Sequence, residues 1–210
     1  MKALLLKDWY MAKKYCRSYV LLAAVFTAIS IFSHSYMDMF YISYPCLLCG
    51  MIPVNLLSYD ERSGWIKYSA ALPYTKLQIV SSKYIFGILC QLTMLIITGI
   101  TQGIKAYSVG MFDIKELLFI MFTVLMISAL SGSMSLPFVF RFGTEKGRMV
   151  YLITIGAICA LTVTGNTMMS KLMLMQTDSA LLSPMFLLIG ILIYFVSWFL
   201  SYTFFKKREL

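Results

Sequence analysis

The chain has 210 residues, 60% hydrophobic and 15% aromatic against 13% charged, with mean hydropathy +0.81. That is too little polar surface to cover a soluble fold of this size, so the composition specifies an integral membrane protein. The formal charge of +9 belongs to membrane topology and speaks only weakly for nucleic acid, because the cations cluster beside apolar runs.

Residues 1–17, MKALLLKDWYMAKKYCR, predict an interfacial helix. Leu4, Leu5, Trp9, Met11 and Ala12 can face acyl chains while Lys7, Lys13, Lys14 and Arg17 reach headgroups. This helix is expected to lead through an elbow into the first of six apolar spans. A hydrocarbon core of about 30 Å takes roughly 20 helical residues. The six spans cover 19–35, 39–57, 84–104, 117–139, 150–165 and 184–205. Runs such as LLAAVFTAISIF lack the alternation of barrel strands, so the fold class is all-α, a polytopic helical bundle forming one domain over 1–210. The first span follows a charged segment without a small-residue cleavage site and is expected to be retained. Pro45 and Pro53 in span two should each free a backbone carbonyl and form a hinge.

Between spans two and three, 58–83 is the one long polar interruption. Ser58 with Glu61 matches a capping box that would start a helix ended by Pro73, with Asp60 and Glu61 in its first turn. Thr75 with Gln78 repeats the start signal for a helix running into span three. Trp65, Ile66, Tyr68 and Leu72 are too apolar for a free loop, while Asp60, Glu61, Arg62 and Lys67 are too polar for lipid. A protein partner would satisfy both groups, which makes this a docking segment.

Fifteen of the 18 basic residues fall in the N-terminal segment, the second loop, the fourth loop and the tail; Lys105, Lys115 and Lys171 fall elsewhere. An even number of spans then puts both termini in the cytoplasm, with 105–116 and 166–182 outside. The outer segment 166–182, rich in Met among Asn166, Lys171, Gln176 and Asp178, is too apolar for a loop fully in water.

Asp60, Glu61, Arg62, Ser63, Gly64, then Tyr68, Leu72, Pro73, with Lys83 at the mouth of the next span, resemble the membrane subunits of bacterial type-2 ABC exporters. The likeness is nearest to the small six-helix permeases that include the phenol-soluble modulin exporters of staphylococci, which move cytolytic peptides. This resemblance implies a permease in the bacterial plasma membrane that dimerises with an identical or related copy. It implies two separate ATPase subunits, docked on Asp60, Glu61, Arg62, Ser63, Gly64, Trp65, Lys67, Tyr68, Leu72 and Pro73, and export of a hydrophobic or amphipathic cargo, often a peptide. It also implies that 166–182 forms short helices dipping into the outer leaflet.

The residues themselves carry no G-x-x-x-x-G-K-[ST] loop and no soluble segment able to fold a nucleotide-binding domain. ATP and Mg are therefore expected in a partner, with no cofactor, metal or catalytic residue in this chain. His34 is the single histidine. Cys46 and Cys49 sit beside Pro45, where packing is a better reading than redox chemistry. The spans show no plausible buried Asp, Glu or Arg, which disfavours ion coupling. Gly99 with Gly103, Ser128 with Gly132, and Gly156 with Ala160 offer close helix approach. A membrane immunity or sensor subunit that binds a peptide without moving it is the alternative function.

Overall fold

A computed structural model describes residues 1–32, 39–69, 71–109, 114–147, 149–157 and 179–207. Every regular element among them is helical: α1 (Lys2–Tyr15), α2 (Arg17–Phe32), α3 (Met39–Gly50), α4 (Ile52–Arg62), α5 (Trp65–Ser69), α6 (Lys76–Val109), α7 (Ile114–Phe142), α8 (149–157) and α9 (Ser179–Lys207). The stretches Ile42–Arg62, Lys76–Ser108 and Leu117–Phe142 are each long and apolar enough to cross a membrane, and the bent pair α1 and α2 together would be a fourth. That pair turns by 69° at Cys16, the elbow expected from the sequence. His34, Asp38, Asp113 and nearly all of the outer segment 166–182 lie outside the described residues.

The inward faces differ from the sequence reading in two places. In α1, Leu4 and Asp8 are buried while Leu6, Trp9 and Tyr10 are more than half exposed. Leu4, Leu5, Met11 and Ala12 were expected to face lipid; instead Leu4 turns inward with Asp8, which lies four residues on and therefore on the same face, and Leu5, Met11 and Ala12 pack half-buried against the core. The second difference concerns Ser58, which does not start a helix. It is buried in the middle of α4, because the apolar run from Ile52 continues its helix past it and burial of that face outweighs a local capping signal. Asp60 and Glu61 consequently lie at the end of α4 rather than in a first turn. Pro73 follows in a non-helical stretch after α5.

Span two is broken as well as kinked. Pro45 lies inside α3, and Pro53 occupies the first turn of α4, where a missing N–H is tolerated. Between them the Met51 N–H bonds the Leu48 carbonyl at 3.1 Å, a turn tighter than α. The Leu47 carbonyl is left over and accepts the Tyr151 hydroxyl from α8. Gly50 at this break is closely surrounded: a Cβ there would lie 3.3 Å from Ser131 Oγ and 3.4 Å from both Gln91 Nε2 and Tyr151 Oη.

The core has two apolar parts. One gathers Cys16, Ile42, Cys46, Cys49 and Val124 among α2, α3, α6 and α7, so Cys46 and Cys49 are packing residues here. The other gathers Leu57, Val80, Val139, Phe140 and Phe205 at the ends of α4, α6, α7 and α9. A Cβ on Gly99 would lie 3.4 Å from Met121 Sδ and one on Gly132 3.3 Å from Gln91 Nε2, whereas Gly103 and Gly156 face open space. The C-terminal end of α6 extends past the expected boundary, so Lys105 belongs to a helix rather than a loop. Buried there, it donates at 2.8 Å to the Ser30 carbonyl of α2.

Candidate coupling site

The polar segment after span two is built on a buried group of four charges. Asp8 from α1, Asp60 from α4 and Lys83 from α6 each have side chains 1% exposed. The Lys83 ammonium lies 2.6 Å from Asp8 Oδ1 and 2.6 Å from Asp60 Oδ2. Lys7 completes the group, donating to Asp60 Oδ1 at 2.7 Å and standing 3.6 Å from Asp8. Two cations face two anions, so the net charge is zero.

Such groups are stable in an apolar surrounding only when each charge has its opposite. The Lys83–Asp8 contact is a hydrogen-bonded ion pair, whereas Lys83 meets Asp60 Oδ2 outside hydrogen-bond geometry and holds it by charge. Lys7 also lies 3.3 Å above the Trp65 ring, a cation–π contact that ties α5 to α1. Burial holds the Lys7 ammonium below its ordinary pKa, and the neighbouring Lys83 charge adds to that, against the opposing pull of Asp60 and Asp8.

Glu61 makes the second joint. Its Oε2 accepts the backbone N–H of Thr144 at 3.0 Å, at the start of the helical turn 144–147. A carboxylate is favoured there by the unpaired N–H groups and dipole of the helix end. Gly143, at φ +87°, shapes the backbone that brings this turn to Glu61; a side chain at that φ would be strained. The two cytoplasmic-side connections of the sequence reading are thereby locked to each other.

Gly64, at φ +69°, turns the chain from α4 into α5. Arg62, Ser63, Gly64, Lys67, Tyr68 and Pro73 are exposed, and Glu61, Trp65 and Leu72 are half-buried. Of the ten residues expected to dock a partner, Asp60 alone is fully buried; its contacts are internal and its effect on a bound partner would be indirect. The next helix begins as the sequence predicts: Thr75 N–H donates to Gln78 Oε1 and Gln78 N–H to Thr75 Oγ1, both at 3.2 Å.

The resulting object is an exposed rim on a rigid mount. Arg62–Tyr68 adjoins Asp60 and Glu61, which are joined to α1 and α6 through the charge group and to residues 144–147. Sequence reasoning missed Asp8 and Lys7 as members. The available signal was an acid on the otherwise apolar face of α1, together with a lysine seven residues into α6. No group of His, Cys, Asp or Glu among the described residues is arranged to hold a metal ion.

Residues 3–206 match the model of a protein family described as ABC-2 family transporter protein. No curated protein and no solved structure matches the chain.

Proposed function

Because the chain belongs to the ABC-2 transporter family, with the match running through nearly its whole length, it is a membrane-embedded transport permease, and we propose that it is the exporting half of a machine powered by separate ATPases. Permeases of this family generally dimerise and work with ATPase partners. In this proposal two ATPase subunits supply ATP and Mg, one docking on the Arg62–Tyr68 rim of each of two permease copies, identical or related. In this proposal the chain crosses the membrane six times, over the spans read from the sequence, which would put both termini in the cytoplasm of a bacterial cell.

The observation that carries the reading is the mounting of the rim. A polar surface connected only to flexible chain would absorb a push, whereas this one is pinned at Asp60 and Glu61 to three other segments. Closure of the ATPases would tilt α4 and α6 together and shift the bundle between open and closed populations. The break at Met51 lies directly above, with Pro45 and Pro53 on either side, and is the proposed hinge. No residue of the chain makes or breaks a covalent bond; ATP hydrolysis belongs to the partner.

The cargo we propose is apolar or amphipathic, a peptide helix in particular. Burial of apolar area at roughly 25 cal/mol per Å² would hold it without a charged recognition site.

The test is copurification. Arg62→Glu with Lys67→Glu reverses charge on two exposed residues that lie outside the buried group. The variant should reach the membrane in normal amount, lose its ATPase on purification and lose peptide-stimulated hydrolysis in liposomes. Normal ATPase retention and stimulation would overturn the docking assignment.

A further inference from the structure

A groove of about 480 Å³ runs between α6, α7 and α9, on a face distinct from the coupling site. Ile88, Leu92, Ile191 and Phe195 form its open side and are each more than a third exposed, while Ala129 and Gly190 line it with little side-chain bulk. Gly190 lets the helices approach closely, since a Cβ there would stand 2.8 Å from Met126 Sδ and push that side chain aside.

The polar groups at the groove are already engaged with one another. Trp198 Nε1 donates to Ser81 Oγ at 3.0 Å, the Tyr194 hydroxyl to the Tyr84 carbonyl at 3.0 Å, and Gln91 Nε2 to the Ser128 carbonyl at 3.0 Å. An occupant therefore has mainly apolar contact to gain, which fits a hydrocarbon chain better than a sugar or an ionic solute.

One end of the groove is charged. Ser81 lies five residues into α6 from Lys76, about 7.5 Å at the helical rise. Lys76 donates to the Lys206 carbonyl at 3.3 Å, and Arg141 stacks over the Phe204 ring at 4.9 Å. Lys76, Arg141, Lys206 and Lys207 thus gather at the end of α9, past Ser81 on α6 and about 12 Å along α9 from Trp198. Trp is favoured at headgroup depth, and cations at the inner membrane surface attract anionic lipid.

We propose that this groove holds one acyl chain of an anionic phospholipid, with its phosphate among Lys76, Lys206 and Lys207. The site requires only that the chain be in a membrane, so it stands or falls independently of ATPase docking. The purified full-length protein, delipidated in mild detergent and offered phosphatidylglycerol or phosphatidylcholine of identical acyl composition, should be read by native mass spectrometry. One phosphatidylglycerol per chain should be retained, at least about tenfold above phosphatidylcholine, given the contribution of each nearby lysine.

Neutralising the phosphate site as Lys76→Gln, Lys206→Gln and Lys207→Gln should bring the two lipids to equal retention. Filling the groove with Ala129→Phe should release both; if that variant aggregates, Leu92→Trp at the open rim serves the same purpose. Equal retention of the two lipids by the unmodified protein, or lipid retained after the groove is filled, would overturn the site. So would disulfide crosslinking of Ile88→Cys between two copies in lipid-replete membranes, which would assign the groove to a second copy of the chain.

Discussion

Replacing Lys83 with Met removes the ammonium shared by Asp8 and Asp60, each 2.6 Å away. Both carboxylates then depend on Lys7, which is 2.7 Å from one, 3.6 Å from the other and itself partly exposed. The group goes from neutral to an excess negative charge, and removing one partner from a buried pair costs about 3–5 kcal/mol. Pairing the change with Asp8→Asn restores neutrality and leaves the Lys7–Asp60 contact in place. The double variant should therefore be more stable than Lys83→Met alone, with a coupling of about 2 kcal/mol or more for residues in direct contact. Unfolding titrations of the four purified proteins in mixed micelles, read by tryptophan fluorescence, measure the cycle. A Lys83→Met variant within about 1 kcal/mol of the parent, or single costs that simply add, would refute a charge-balanced group.

Glu61→Gln should keep a weaker contact to Thr144 but lose its charge at the helix end, costing about 1 kcal/mol; in reconstituted transporter it should lower transport per ATP hydrolysed more than hydrolysis itself. Gly87→Ala would place a methyl 2.9 Å from the rigid Pro53 ring and should destabilise by about 1–3 kcal/mol, while Gly103→Ala, facing open space, should be neutral in detergent melting. Single cysteines at Ser108 and Thr177 in a cysteine-free background should react with an impermeant maleimide on intact cells, and one at Ser63 should not; labelling at Ser63 would reverse the proposed orientation.

The chain's solvent and helical class were legible because they depend on composition summed over long runs, and the Thr75–Gln78 cap because both partners lie within one turn. Ser58 and Glu61 offered an equally good local pattern, yet there the helix had already started at Ile52; a capping signal says where a helix can begin, not whether one is under way. The charge group was illegible for a different reason. Asp8 and Lys83 are 75 residues apart, and neither differs from a surface residue until α1 folds back against α6. The rim at Arg62–Tyr68 was found as a stretch of mixed polarity, but local sequence does not sort Asp60, buried, from Arg62, exposed, two positions along the same helix end.

Lys83 is also the last of the four charges to be synthesised. At 5–20 residues per second, about 4–15 s separate Asp8 from its partner. Through that interval Asp8 has no buried site to enter, and it lowers its free energy by staying in contact with water. α1 can complete its ion pair only when α6 brings Lys83 alongside. The buried ion pair accordingly sets an order: α1 is made before α6, yet it can complete its buried contact only after α6 has been made.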